Sequence, residues 1–275
     1  MPRQLTAVLN TRYIGLVNNK GGVGKTTTAM NLAGALVLRE KKVLVIDTDP
    51  QCNASIAFNI MIAKNEPGVR HLLAERATPL SECLYECGPY CDFIPADSSL
   101  ADLQSELLQS PKARTRLRER LRASAGKYDF VLIDCPPDLG ALTQSVLVAA
   151  TEVIVPCDVG FFSIAGLARM MEIVQEIKET YNPDLEVTGV LLTKYDSRTT
   201  LSSNTEDAIR EQGLPLFKTK VRICVDIIRS QLARLPVNIY APESNAADDY
   251  AALADELLPA KVISIRQQRR KIAKG

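Results

Sequence analysis

What this sequence has little of narrows its reading first. No charge of one sign dominates: 33 Lys and Arg stand against 32 Asp and Glu, a formal net charge of +1. Bulk electrostatics therefore selects no polyanionic partner, and any nucleic-acid surface must be a local patch. No apolar run is long either. The most hydrophobic stretch, residues 146–162, is broken by Thr151, Glu152 and Asp158, well short of the ~20 apolar residues that span a bilayer. No apolar leader opens the chain, because Asn10, Thr11 and Arg12 interrupt its first sixteen residues. With seven cysteines and no leader, a reducing, cytoplasmic setting is expected in place of a secreted disulfide framework. Tryptophan is absent. The single histidine, His71, falls in a predicted helix, where a structural or exposed position is expected and no catalytic role.

Repeats, low-complexity tracts and long linkers are also missing. One domain over residues 1–260 is the economical reading, and 46% hydrophobic residues suffice for a large core. Residues 261–275 stand apart, because Lys261, Arg266, Arg269, Arg270, Lys271 and Lys274 occur there without an acid. They read as a basic tail.

What is present is an alternation of short Val/Ile/Leu-rich runs with longer stretches of helical period. Strands are predicted over 13–18, 42–47, 92–95, 128–134, 152–156 and 187–193. Helices are predicted over 26–40, 97–109, 112–125, 139–150, 164–181, 204–212 and 246–258. The expected fold is α/β and doubly wound: a mostly parallel sheet with helices on both faces.

Between the first predicted strand and helix lies Lys20-Gly21-Gly22-Val23-Gly24-Lys25-Thr26-Thr27, entered from Asn18. A glycine-rich turn feeding a helix N-terminus gathers backbone N–H groups on one spot, which suits an anion. Gly21, Gly22 and Gly24 permit close backbone approach, Lys25 can reach outer phosphates, and the Thr26 hydroxyl is placed to ligate Mg2+. Against G-x-x-x-x-G-K-[ST], the loop has Asn19 in place of the first glycine and an additional lysine, Lys20.

Two further carboxylate groups fall at predicted strand ends. Asp47 and Asp49 follow Val43-Leu44-Val45-Ile46, and Asp134 follows Phe130-Val131-Leu132-Ile133. The carboxyl edge of an open α/β sheet is where ligands bind, and an aspartate there can hold Mg2+ through its water shell.

The loop resembles the deviant Walker A loop of the ParA/MinD group of ATPases, and the chain is similar to the short ParA/Soj type without a helix-turn-helix domain. The likeness runs from Tyr13 to Leu258. It includes Asp47-Thr48-Asp49-Pro50-Gln51 with Asn53 and Ser55, Asp134-Cys135-Pro136-Pro137, and Gly189 to Thr199. The resemblance implies ATP and Mg2+ as cofactors, with Asn18, Lys20, Gly21, Gly22, Val23, Gly24, Lys25, Thr26, Thr27, Asn53, Thr193 and Asp196 about the nucleotide. It implies Thr26, Asp47 and Asp134 around the metal. Catalysis falls to Lys25, to Asp49 orienting the attacking water, and to Lys20 reaching the nucleotide of a second subunit. It further implies an ATP-dependent homodimer and non-specific DNA binding at the nucleoid. A ParB-like or other cargo-adaptor protein would stimulate hydrolysis.

Thr193-Lys194-Tyr195-Asp196 also looks like the T-K-x-D guanine element of signal-recognition-particle GTPases, since an aspartate there could accept from guanine N1 and N2. The longer match to the ParA segment favours ATP. The likeness weakens where Val221 to Arg229 replace an I-P-R-N-like stretch, and where Asp158-Val159-Gly160-Phe161 replace Q-C-E-Y. Candidate DNA contacts are Lys218, Lys220, Arg222, Arg229 and Arg234, with Arg266, Arg269, Arg270 and Lys271 in the tail. Lys112 and the arginines at 114, 116, 118, 120 and 122 read as a solvated helix face. A MinD-like membrane-surface ATPase is the alternative, disfavoured because Val262, Ile263, Ile265 and Ile272 are few and lack bulky aromatics. Cys83, Cys87 and Cys91 would align on one helix, but Gly88-Pro89 breaks it, so packing roles are expected over a metal site.

Overall fold

The computed structural model describes residues 11–64, 66–76 and 78–258; the tail cluster Arg266, Arg269, Arg270 and Lys271 lies outside them. The first half runs β1 (Arg12–Leu16), α1 (Lys25–Val37), β2 (Val43–Asp47), α2 (Asn53–Ala57), α3 (Val69–Leu73), β3 (Tyr85–Gly88), β4 (Cys91–Ile94), α4 (Gln104–Gln109) and α5 (Pro111–Leu121). The second half runs β5 (Phe130–Asp134), α6 (Ala141–Ala149), β6 (Glu152–Asp158), α7 (Phe161–Thr180), β7 (Glu186–Thr193), α8 (Thr200–Glu211), α9 (Val225–Leu232), α10 (Val237–Tyr240) and α11 (Asn245–Leu257).

The strands form one sheet in the order β3-β4-β2-β5-β1-β6-β7, parallel except for the antiparallel edge strand β3. This is the doubly wound arrangement expected. β2 and β5 are buried at every position, as VLVID and FVLID must be when helices cover both faces. One core lies under α3 to α8 and the other under α1 and α11, so each face of the sheet has its own apolar layer.

Arg12 ties the amino end of the sheet together. It pairs with Glu152 on β6, lies over the Phe130 ring at 5.2 Å and donates to the Leu257 carbonyl at the end of α11. The α5 arginines do more than cover a solvated face. Arg116 donates to the Leu73 carbonyl and pairs with Glu106, Arg118 donates to the Tyr181 carbonyl at 2.7 Å, and Arg114 sits over the Tyr181 ring. Their long stems and fixed forks clamp chain ends to α5.

The stretch between α3 and α4 departs from the expected elements. The region of Cys83 to Cys91 is a β-hairpin, so Cys83 enters one core while Cys87 and Cys91 join the other. Among the described residues no three His, Cys, Asp or Glu side chains are grouped to hold a metal. His71 lies in α3, and its Nδ1 accepts from the Gly68 N–H at 3.3 Å, the structural position expected. No described helix is long and apolar enough to cross a membrane.

α1 meets the turn before α10 at Gly34, where an added Cβ would stand 2.6 Å from the Pro236 Cβ. Alanine is the better helix former, but this ring cannot yield as a flexible side chain would. Gly34→Ala should therefore lower unfolding free energy by about 1–2 kcal/mol, the clash exceeding the helical gain of roughly 1 kcal/mol. Urea unfolding checks it, and a more stable variant would show that the turn moves freely.

Candidate active site

β1 ends at Leu16, and Val17 and Asn18 carry the chain out of the sheet into the loop 19–24. Gly24 takes φ 90° and Gly22 φ 74°, the left-handed region that glycine enters without cost. Gly24 thereby caps α1, so the first helical residues, Lys25, Thr26 and Thr27, point their N–H groups at the loop's hollow.

Two hydrogen bonds tie this loop to other strands and a third closes it on itself. Asn18 Nδ2 donates to the Pro156 carbonyl on β6 at 2.8 Å, and Asn18 Oδ1 accepts from the Lys20 N–H. Thr193 Oγ1, at the end of β7, donates to the Val23 carbonyl at 2.8 Å. Thr193 therefore supports the loop from behind while also lining the cleft in front of it. α7 approaches closely as well: a Cβ at Gly166 would lie 2.9 Å from Asn19 Oδ1.

The cleft has a volume of about 720 Å³. Gly21, Gly22, Gly24, Lys25, Thr26 and Thr27 form one wall, and Asp49, Gln51 and Asn53 a second. Thr193, Lys194 and the stretch Val221 to Cys224 close the far end with Ile227, Ile228 and Gln231. Sequence reasoning missed Gln231, whose Nε2 donates to Thr27 Oγ1 at 2.8 Å and ties α9 to the loop. No local pattern marks it, since the contact joins residues 204 positions apart.

Behind the loop the strand register brings carboxylates together. Asp47 is opposite Asp134, and Asp134 opposite Leu16, because β2, β5 and β1 pair in parallel. Asp134 is fully buried; one oxygen accepts from Thr26 Oγ1 at 2.6 Å and the other has no hydrogen-bond partner. Burial and then the neighbouring Asp47 push its carboxyl well above the ordinary range. Asp47, pushed up to about 6 by burial, uses both oxygens within its own segment, accepting from the Asp49 N–H and from Ser55 N–H and Oγ. It is placed behind the cleft wall and positions the segment 49–55. Asp49 lines the cleft; burial raises its carboxyl, while the Gln51 N–H and Lys25 pull the other way.

Lys25 is the cation nearest this group. Its ammonium donates to the carbonyls of Asn18 and Lys20 at 3.0 and 3.1 Å, and burial lowers its pKa against the opposing pull of Asp134. Asp134 and Asp49 thus act on one buried ammonium, and the orphaned Asp134 oxygen stands beside the Thr26 hydroxyl. That donor set is oxygen-only and suits a hard divalent cation.

Lys20 behaves differently from Lys25. Its Nζ donates to both oxygens of Asp158 at 2.9 Å and does not line the cleft of its own chain. Asp158 ends β6 within the replaced Q-C-E-Y element, so the sequence flagged the position without revealing the partner. Asp196 lies off the cleft: Arg198 grips both its oxygens, at 2.9 and 2.7 Å, and holds its carboxyl down to about 2. Among the basic candidates, Lys220 pairs with Glu206 over the Tyr195 ring, and Arg222 is bidentate to Asp249. Lys218, Arg229 and Arg234 are exposed; Arg229 pairs with Asp226 and Arg234 donates to Asn59.

The family described as an AAA domain matches residues 11–187. A chromosome partitioning protein ParA of Myxococcus xanthus is 34% identical over 271 residues, 95% of this chain and 92% of that protein. A cobyrinic acid a,c-diamide synthase from Mycobacterium smegmatis, solved with ADP and magnesium, superposes with a TM-score of 0.79 at 30% identity, covering 90% of this chain and 94% of that one. The septum site-determining protein MinD of Pyrococcus horikoshii, complexed with Mg-ADP, gives 0.74 at 26% identity over 93% and 98%. By the loop, the strand-end aspartates and these likenesses, the chain belongs to the ParA/MinD family of ATPases.

Proposed function

We propose that this protein is a ParA-like ATP switch. It dimerises on ATP, binds DNA without sequence preference, and is released when a ParB-like or other cargo adaptor stimulates hydrolysis. The observation that carries this reading is the position of Lys20. Its side chain turns to Asp158 and leaves its own cleft to Lys25, as suits a lysine whose nucleotide belongs to a second copy. Such a lysine would act on the transferring phosphoryl group as an arginine finger does, making turnover conditional on dimerisation. The cleft's rim supports the same reading, since Ile56, Ile223 and Ile228 are exposed apolar side chains that a second copy would cover.

ATP would place its phosphates on the 21–27 backbone with its base toward Ile223 and Ile227. Thr26 and Asp134 would hold Mg2+, which neutralises charge on the phosphate oxygens when bound. Asp49 would orient the attacking water, with Asp47 and Ser55 fixing Asp49 in place. Adenine is favoured over guanine because Asp196, the one carboxylate of the T-K-x-D run, is occupied by Arg198. Lys218, Arg229, Arg234 and the basic tail are the DNA contacts this reading favours; Lys220 and Arg222 serve the fold through their ion pairs.

Sizing with ATP and Mg2+ tests the switch. Asp49→Ala should accumulate as a dimer with turnover down at least about tenfold, and Lys20→Ala should lose stimulated turnover altogether. A wild-type chain that stays monomeric with ATP would overturn the reading. DNA binding should appear only with ATP and weaken steeply with salt, whereas ATP-dependent binding to anionic vesicles in its place would point to the MinD-like alternative.

Asp134→Asn separates metal binding from folding. Removing one of the crowded buried charges while keeping an acceptor for Thr26 should stabilise the ligand-free protein by about 1–3 kcal/mol. The same variant should lose the thermal stabilisation that Mg·ATP gives the wild type. Paired melting curves with and without Mg·ATP check both halves, and an unchanged ligand response would remove Asp134 from the metal site.

A further inference from the structure

Outside the nucleotide site, the hairpin of β3 and β4 brings two thiols together. Cys87 Sγ lies 2.9 Å from Cys91 Sγ, within about 1 Å of the ~2.05 Å of a disulfide bond. The cause is a bulge: Glu86 pairs with Asp92 and Gly88 with Cys91, so Cys87 is the additional residue and is turned toward Cys91 across the hairpin. Cys87 is half-buried and open to small reagents, while Cys91 is 8% exposed and shielded beneath it. The outer sulfur can meet an oxidant and the inner one is already in place to resolve it. In a protein that otherwise carries only isolated or packed thiols, this is the geometry of a redox pair and not of a structural staple.

We propose that Cys87 and Cys91 form a reversible dithiol–disulfide site whose oxidant is a hydroperoxide. Cys87 Sγ attacks a peroxide oxygen, the O–O bond breaks, and water leaves as Cys87 becomes a sulfenic acid. Cys91 Sγ then attacks the Cys87 sulfur, the S–O bond breaks and a second water leaves. Two thiols lose two electrons and two protons, and one hydrogen peroxide becomes two waters. At rest the Cys87 S–H donates to Cys91 Sγ, and this together with burial pushes the Cys87 thiol up, so little thiolate is present and the reaction with peroxide is slow, rising with pH. Because residues 87–91 close a very short loop, the bond adds little chain-entropy stabilisation and a dithiol reductant can reopen it.

Its effect falls on the sheet edge. β3 is an edge strand, and Phe93, two residues beyond Cys91, stacks on Phe58 with ring centroids 4.6 Å apart. Phe58 ends α2, whose first residue, Asn53, lines the nucleotide cleft. Stapling the hairpin holds that edge in its paired form.

The full chain, fully reduced and then treated with hydrogen peroxide, tests the site. Intact mass should fall by about 2 Da, the two hydrogens lost, with a peptide map linking 87 to 91 and the original mass restored by dithiothreitol. Amide exchange over 85–94 should slow at least about tenfold in the oxidised form. Cys87→Ser should abolish the mass loss while Cys224→Ser retains it. Oxidation that adds oxygen at Cys87 without joining it to Cys91, or that links other cysteines first, would overturn the proposal. These readouts need no nucleotide, so they stand or fall separately from the ATP switch.

Discussion

The burial of Asp134 is the constraint around which this molecule is organised. A carboxylate with no exposed surface and one unpartnered oxygen is costly in a low-dielectric interior. The sheet register makes it worse by setting Asp47 directly opposite on β2. What offsets the cost is local: Thr26 donates to Asp134, Ser55 and the Asp49 N–H satisfy Asp47, and Lys25 supplies the nearby positive charge. Each compensating group sits on a segment that also builds the cleft. Repairing the electrostatics of the strand ends and shaping a phosphate site are therefore one structural act.

The same economy explains why the loop is held from so many directions. Asn18 reaches β6, Thr193 reaches back from β7, and Gln231 reaches in from α9. A loop with two glycines at positive φ is entropically expensive to order. Anchoring its backbone at Val23 through Thr193 of β7, and at Lys20 through Asn18, which itself reaches β6, fixes it before any ligand arrives, which is what preorganisation requires.

Legibility in the sequence followed the range of the interaction. The central strands could be read because VLVID and FVLID must be buried on both faces, and the loop because glycine spacing before a helix has a local cause. The parallel sheet and the positions of Lys25, Thr26, Asp49 and Asn53 on one cleft follow from those local signals. Of the β3–β4 hairpin only β4 was legible, as the strand expected over 92–95; Tyr85–Gly88 is short, irregular and half-exposed, and pairs with it across a bulge. The partner of Asp196 was not legible for a related reason. The run T-K-x-D suits a base, but Arg198, two residues on, claims the carboxylate, and rotamer-level competition of that kind has no periodicity to reveal it. Lys220 and Arg222 read as free charge for the same cause, their acids lying 14 and 27 residues away.

Lys20 and Asp158 show how a departure from a family pattern can carry mechanism. With the lysine side chain 42% exposed, their ion pair is worth roughly 0–1 kcal/mol after screening and side-chain entropy are counted. That is too weak to hold Lys20 against a triphosphate, whose charge is larger and whose oxygens accept several hydrogen bonds. It biases the ammonium toward Asp158 and away from its own cleft, which Lys25 lines. On the proposed reading, an aspartate at the end of β6 would set a low threshold on dimerisation, the lysine exchanging Asp158 for a nucleotide presented by a second copy. A glutamine there, lacking the charge, would set none.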